Sequence, residues 1–348
     1  ITLKEYLLRY LPRRIRPAGV VSAYSNYGSA LAGRIVENVS GMSFEAYLRA
    51  HVFEPLGMAN TTFLEPLPDS FADVMSPDLS ARVSKGFKAG EDGFRQVDRF
   101  TFLTQVAPAG GISSTAIDMA KFARAHLENC ALDGVRILQP ETCALMHSVL
   151  VPLNAGGKAT IKHGFFSDSS ILGHDRFWHN GGTTFFHSMM SLYPDLKFAF
   201  LLSTNTDTGP QLYLHMEKAI VERMFGDNTA APDALEPPED FVGRAGKYEG
   251  FYVLTRRNYS TIEAVFSLFQ GSVKVAADAD GYLVIHPGAE PVKTVEVKPN
   301  LFRAVDKHEY FEFVEDESGA VAYLKILSSF DKVAWYQAPE NRALLLGT

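Results

Sequence analysis

The sequence predicts two units: a mixed α/β or α+β domain built on an antiparallel sheet, followed by a small antiparallel β-barrel. Three observations predict this. Helical and extended spacings alternate up to about Phe225, a stretch rich in proline, alanine and acids follows, and beyond Phe241 short alternating runs replace the helical spacing. The first domain is placed at 1–226, a linker at 227–240 and the barrel at 241–348. With 348 residues, 46% hydrophobic and 21% charged, the chain is long enough to bury a core in each unit.

The elements follow in order. "ITLKEYLLRYL" opens inside a helix, with Thr2 and Glu5 spaced as a capping box and Ile1 placed to staple against Tyr6. So abrupt a start, without methionine, leads us to expect earlier residues in the natural protein, any signal peptide among them. "AYSNYGSALAGRIVEN", Ala23 to Asn38, sets a polar cluster before a small-residue helical run, and its local reading is a helix cap. "SFEAYLRAHVFEPLGM" is helical and ends at Pro55 and Gly57. "STAIDMAKFARAHLEN" starts from Ser114 or Thr115 and puts Ile117, Ala120 and Phe122 to Ala125 on or near one face. Two more helices are "QPETCALMHSVL", with Pro140 in its first turn, and "GPQLYLHMEKAIVERMFG", begun near Pro210 and stopped by Gly226. Between them, "FHSMMSLYPDLKFAFLLSTN" reads as two strands joined at Pro194 and Asp195, apolar enough to be covered on both faces. The barrel strands are runs such as "GYLVIH", "KTVEVKP", "LFRAV", "EYFEFVED" and "AVAYLKIL".

Composition excludes several classes. The charge of -7, from 40 acids and 33 bases spread along the chain, offers no basic face to nucleic acid. No apolar run approaches the ~18 residues needed to cross a bilayer. Cys130 and Cys143 flank a turn, give neither a disulfide framework nor a metal spacing, and are read as packing residues. His174, His179 and His187 lack an i, i+4 spacing and a nearby acidic pair, so no metal and no cofactor is expected. A Gly-x-Ser-x-Gly elbow is absent.

Three motifs remain. Tyr24-Ser25-Asn26 precedes a helix; "FWHNGGTTFFHSMMSLYPD" places His179 and the pair Gly181 and Gly182 at the head of an apolar strand; "APAGGISSTAIDMAKF" sets Gly110 and Gly111 before a helix start. Glycines in a strand let a ligand or another backbone approach closely. Taken together, "RPAGVVSAYSNYGSALAGRIVENVSGMSFEAYLRAHVFEPLGM", "PAGGISSTAIDMAKF" and "HNGG" resemble the serine β-lactamase and penicillin-binding protein superfamily, with class C β-lactamases, family VIII carboxylesterases and D-amino-acid peptidases as kin. The resemblance covers Ile1 to about Phe225, and the tail from about Asp240 resembles the lipocalin-like barrel of several members. It implies an α+β fold: a β-lactamase-like antiparallel sheet with flanking helices, then that barrel.

Such enzymes carry a Ser-x-x-Lys element, a Tyr-x-Asn element and a Lys-Thr-Gly or His-x-Gly element. Here the second is Tyr24 to Asn26 and the third His179 to Gly181; the first, upstream of the tyrosine in the family, is missing. One literal match, Ser329-Phe330-Asp331-Lys332, follows the tyrosine and leads into an extended pattern, whereas the chemistry needs serine and lysine one helical turn apart. The resemblance implies an acyl-enzyme mechanism in which Tyr24 accepts and returns the serine proton. A phenol, of usual pKa ~10, does this only beside positive charge. Asn26 would hold the lysine or the acyl side chain, and Ser25 would do little. His179 replaces a lysine, which favours uncharged esters or amides over β-lactams. Gly182, expected on an edge strand, would offer its N–H to the oxyanion while Gly181 keeps the approach open, and Asn180 and Trp178 would line the substrate pocket.

The expected function is hydrolysis of a small ester, amide or D-amino-acid peptide, with the nucleophile outside this sequence and the chain inactive as given. The alternative is a non-catalytic scaffold that binds cell-wall peptides, with the barrel as a docking module. A homo-oligomer fits the resemblance, as does a bacterial envelope or periplasmic location; cytoplasmic esterases share the motifs.

Overall fold

The computed structural model describes residues 1–68, 70–71, 73–98, 101–152, 160–226, 234–259, 271–288 and 290–341. At the start the capping box forms. The Thr2 hydroxyl accepts from the Glu5 N–H, and the Glu5 carboxylate accepts from the Thr2 N–H, so that α1 (Leu3–Arg9) begins with two orphan donors satisfied. Ser25 caps α2 (Asn26–Ser40) by accepting from the Gly28 N–H at 3.1 Å, and left-handed Gly41 ends it. α3 (Phe44–Leu48) continues into a π turn, Arg49–Phe53, and Gly57 at φ 63° turns the chain away.

Next come α4 (Pro77–Ala81), the hairpin of β1 (Gly86–Gly90) and β2 (Gly93–Val97), a 3-10 segment Thr104–Ala109, and α5 (Ala116–Leu127), capped by Thr115. One expectation fails in α5. Ile117, expected on or near one face with Ala120 and Phe122 to Ala125, is 74% exposed. Its neighbour Asp118 is buried instead, its carboxylate accepting from the Asn60 N–H and the Thr61 hydroxyl, and this anchor turns the helix so that Ile117 faces outward.

A short ribbon, β3 (Ala131–Leu132) with β4 (Val135–Arg136), leads into α6 (Pro140–His147). The ribbon folds the chain back, so that Cys130 meets Cys143 and the two form a disulfide across Cα atoms 5.9 Å apart. The packing role expected of two separate thiols is thereby corrected. A lone pair of cysteines does not announce its pairing, which depends here on the reversal between them.

The main sheet contains β5 (Val149–Pro152), β6 (Thr160–Lys162), β7 (Phe166–Asp168), β8 (Arg176–Gly182), β9 (His187–Tyr193) and β10 (Phe198–Thr204). Its spatial order is β10-β9-β8-β7-β6-β5, with every neighbour antiparallel. Alternation of side chains gives it two apolar faces. Phe177, Leu192, Ala199 and Leu201 pack with Ala123 of α5; Trp178, Met189, Phe200 and Leu202 pack with Tyr213 and Ile220 of α7 (Gly209–Phe225). The sheet is therefore covered on both sides.

Residues 227–233, half of the expected linker, lie outside the described residues. After α8 (Phe241–Arg244), eight strands close a barrel in chain order: β11 (Gly250–Leu254), β12 (Val273–Ala277), β13 (Leu283–His286), β14 (Val292–Lys298), β15 (Leu301–Ala304), β16 (Tyr310–Glu315), β17 (Val321–Lys325) and β18 (Ser329–Val333). Its core follows the alternation in the sequence, with Tyr252, Ile285, Phe302, Phe311, Phe313 and Leu324 pointing inward and Phe241 packed on Tyr248 and Phe302. The Ser329 to Lys332 string lies within β18, where residues three apart point to opposite faces. Its Asp331 pairs with Arg16 at 3.1 Å and Arg257 at 2.8 Å, fastening the barrel to the segment that leads to Tyr24. Among the described residues no helix is long and apolar enough to cross a membrane.

Candidate active site

Tyr24 stands just before the Ser25 cap, so the helix start fixes its backbone. Asn26 is the first residue of α2 and is exposed. The helix itself is held by close packing. A Cβ on Gly33 would lie 2.3 Å from Pro108 Cγ, so only glycine lets α2 meet the segment that carries Gly110 and Gly111. Two of the three sequence motifs thus share one contact.

The third motif faces them. The rings of Tyr24 and His179 lie 5.8 Å apart between centroids, and Phe166 on β7 lies 6.2 Å from Tyr24 and 5.6 Å from His179. From the barrel, the Arg256 guanidinium sits over the Tyr24 ring at 4.5 Å. Neither Phe166 nor Arg256 belongs to a motif. "GFFSD" reads as an ordinary strand start, and Arg256 comes near Tyr24 only through the docking of the barrel, which no local pattern records.

β8 is not an edge strand, as had been expected for Gly182; it lies between β7 and β9. Its ladder with β7 covers only Arg176 to Trp178, however, whereas its ladder with β9 continues to Gly182. Among the described residues, stagger therefore leaves His179 to Gly182 locally unpaired on the β7 side. The Thr183 N–H donates to the Phe186 carbonyl at 2.8 Å, making that pair hydrogen-bonded. Bonded and non-bonded pairs alternate in an antiparallel ladder, so at the next pair, Gly182 and His187, the Gly182 N–H points away from β9 toward the open side. Gly181 and Gly182 are both exposed there, and a Cβ on Gly181 would meet open space.

His179 Nδ1 lies 2.6 Å from the Asn180 carbonyl oxygen. A carbonyl only accepts, so Nδ1 carries the proton and Nε2 keeps its lone pair. Burial pushes this imidazole below the usual histidine range, against the opposing pull of that hydrogen bond, and the ring is neutral at pH 7.

Trp178 does not line the pocket. It is 9% exposed, faces α7, and donates from Nε1 to Asp168 at 2.6 Å. Strand alternation puts it on the face opposite His179. Asn180 shares that face and donates from Nδ2 to the Tyr213 hydroxyl at 3.1 Å, while its backbone carbonyl orients His179. Below them, buried Arg176 is paired with Asp168 at 3.0 Å and has Nη1 2.7 Å from Glu217, close but off the hydrogen-bond line.

An antiparallel sheet between helices, with a tyrosine at a helix start facing the free end of a His-Asn-Gly-Gly strand, defines a protein of the β-lactamase type. The beta-lactamase family model matches residues 6–224, and the chain belongs to that family. It is 27% identical over 249 residues to penicillin-binding protein 4 of Amycolatopsis lactamdurans, covering 67% of this chain and 61% of that protein's length. Among solved structures, SurE aligns with a TM-score of 0.57 at 20% identity, covering 95% of this chain and 73% of that one. The octameric penicillin-binding protein homologue from Pyrococcus abyssi aligns at 0.52 and 20% identity, covering 95% and 70%. At such identity the structural likeness is one of fold, and it extends over the barrel as well as the sheet.

Proposed function

We propose that this chain forms the tyrosine- and histidine-bearing part of a serine hydrolase that cleaves a small ester, amide or D-amino-acid peptide through an acyl-enzyme. The observation that carries the reading is the convergence of Tyr24 and His179 beside the unpaired end of β8. In this reading a serine oxygen attacks the carbonyl as its proton passes to the Tyr24 oxygen, and the Gly182 N–H receives the oxyanion. Collapse breaks the ester or amide bond, and Tyr24 returns the proton to the departing alcohol or amine. Water then repeats the sequence, releasing the acid and restoring the serine. Asn26 holds the nucleophile's lysine partner or the acyl group. Neutral His179, with its Nε2 lone pair, suits an uncharged substrate better than a carboxylate.

The serine and lysine come, on this proposal, from a Ser-x-x-Lys element outside the 348 residues. Ser329 does not supply the nucleophile, because it is buried in the barrel wall and Lys332 donates to the Lys247 carbonyl instead. The exposed stripe of Leu31, Ile35 and Val39 on α2, and the outer edge of β10, are surfaces that such a segment would cover. The test is mass spectrometry after a fluorophosphonate. A chain extended to include Ser-x-x-Lys should gain one adduct on that serine, and the 348-residue chain none. An extended chain that stays unlabelled and inert toward chromogenic esters and D-alanyl amides would replace this reading with the non-catalytic scaffold.

A further inference from the structure

Toward the opposite end of α5 from Asp118, four side chains that ligate soft metals meet in one place. His126 lies in the last turn of α5 and Cys130 three residues beyond its end; Cys143 and His147 are one turn apart on α6. His126 Nδ1 and His147 Nε2 are 2.9 Å apart, His147 Nδ1 is 3.9 Å from Cys143 Sγ, and one ligand atom from each of His126, Cys130 and His147 falls within 4.8 Å of the others. Both cysteines and His126 are buried. Rings of Phe122, Phe165 and Phe177 enclose the histidines.

We infer that Cys130, Cys143, His126 and His147 form a redox-gated site: a disulfide in the oxidised chain, and a Cys2His2 site for zinc or a similar soft divalent cation in the reduced one. The steps balance. A dithiol reductant gives two electrons and two protons to the Cys130–Cys143 bond, leaving two thiols and its own cyclic disulfide; the cation then displaces both thiol protons and binds two thiolates and two imidazoles. Tetrahedral zinc needs nitrogens about 3.3 Å apart and sulfurs about 3.7 Å apart. With His126 Nδ1 and His147 Nε2 as the ligating nitrogens, the imidazoles must separate by only a few tenths of an ångström, whereas Cys143, whose sulfur lies nearest the other nitrogen of His147, must swing toward Nε2 once the disulfide is broken. Neutral imidazole is the ligating form. The aromatic shell excludes water that would compete for the metal.

The test is cobalt titration of the 348-residue chain, before and after anaerobic reduction with a phosphine. The reduced chain should take up one equivalent and show the visible bands of four-coordinate cobalt with thiolate charge transfer, and zinc should displace it; the oxidised chain should bind none. His147→Ala, whose fold is checked with its disulfide intact, should bind after reduction more than ~100-fold more weakly, beyond the cost of losing an outer-shell partner. For a second readout independent of refolding after reduction, the chain is expressed in a reducing cytosol with zinc and its zinc edge is measured. Two sulfurs near ~2.3 Å and two nitrogens near ~2.0 Å support the site. An oxygen-only shell, six-coordinate cobalt, or equal binding by the Cys130→Ser, Cys143→Ser chain overturns it.

Discussion

Replacing Gly33 by alanine asks whether the site's first wall is held by contact or by helix propensity. In an exposed helix this change stabilises by about 1 kcal/mol. Here the new methyl would stand 2.3 Å from Pro108 Cγ, 2.6 Å from Pro108 Cβ and 3.4 Å from Phe44. Carbon atoms rest about 3.5 Å or more apart, so α2 and the Thr104–Ala109 segment must part by roughly 1 Å. A proline ring has no rotamer with which to yield, and the movement falls on backbone. Overpacking of this kind costs about 1–3 kcal/mol. Set against the gain in propensity, the net expectation is destabilisation by up to about 2 kcal/mol. Gly28 is the control in the same helix: its Cβ would meet Ser25 at an ordinary 3.6 Å, so Gly28→Ala should be neutral or stabilising by a few tenths of a kcal/mol. Urea unfolding followed by tryptophan fluorescence measures both. Midpoints that move the same way for the two variants would refute the contact argument.

Three further outcomes follow from the surroundings of the site. Glu217→Ala removes one of two carboxylates that hold buried Arg176 and the acceptor of the Tyr193 hydroxyl, and should destabilise by about 3–5 kcal/mol in urea; a change under about 1 kcal/mol would show the network to be dispensable. Burial works against the charge on Arg176, and Asp168 and Glu217 more than offset it, so its guanidinium stays ionised throughout. His179 is held below 6.5, so the unfolded chain takes up its proton first as pH falls through that value; stability should drop from about pH 6.5 downward until the folded ring protonates, and His179→Asn should flatten that slope. An unchanged slope in the variant would assign it to other groups. Reducing Cys130–Cys143, which spans 13 residues of sequence, should cost about 3 kcal/mol in metal-free buffer, read as a lower urea midpoint; no shift would mean that the loop closure is without effect.

The parts legible in the sequence are those set by neighbours along the chain. Thr2 and Glu5, Ser25 and Thr115 mark helix starts because a cap is satisfied within three residues, Pro140 marks one because its fixed φ suits the first turn and it has no N–H to leave unpaired, and the strands of the barrel show because inward and outward residues alternate. What stayed hidden depends on distant packing. Ile117 faces solvent because Asn60 and Thr61 claim Asp118; the cysteines pair because the ribbon between them reverses; Gly182 gains a free flank because β7 stops short of it. Tyr24 and His179 were recognised through their motifs, whereas Phe166 and Arg256 reach Tyr24 only once sheet and barrel are assembled. Trp178 shows the same limit, since one residue's shift along a strand moves a side chain from pocket to core.

The most direct measurement is the rate of ester and D-alanyl amide hydrolysis by a chain extended to include Ser-x-x-Lys, with Tyr24→Phe as the only change. Loss of the phenol oxygen leaves the ring beside His179 and Phe166 in place, so folding should be unaltered. kcat should fall by ~10²- to 10⁴-fold, the range for losing a positioned proton carrier. Hydrolysis at the unchanged rate would contradict it and remove Tyr24 from the chemistry.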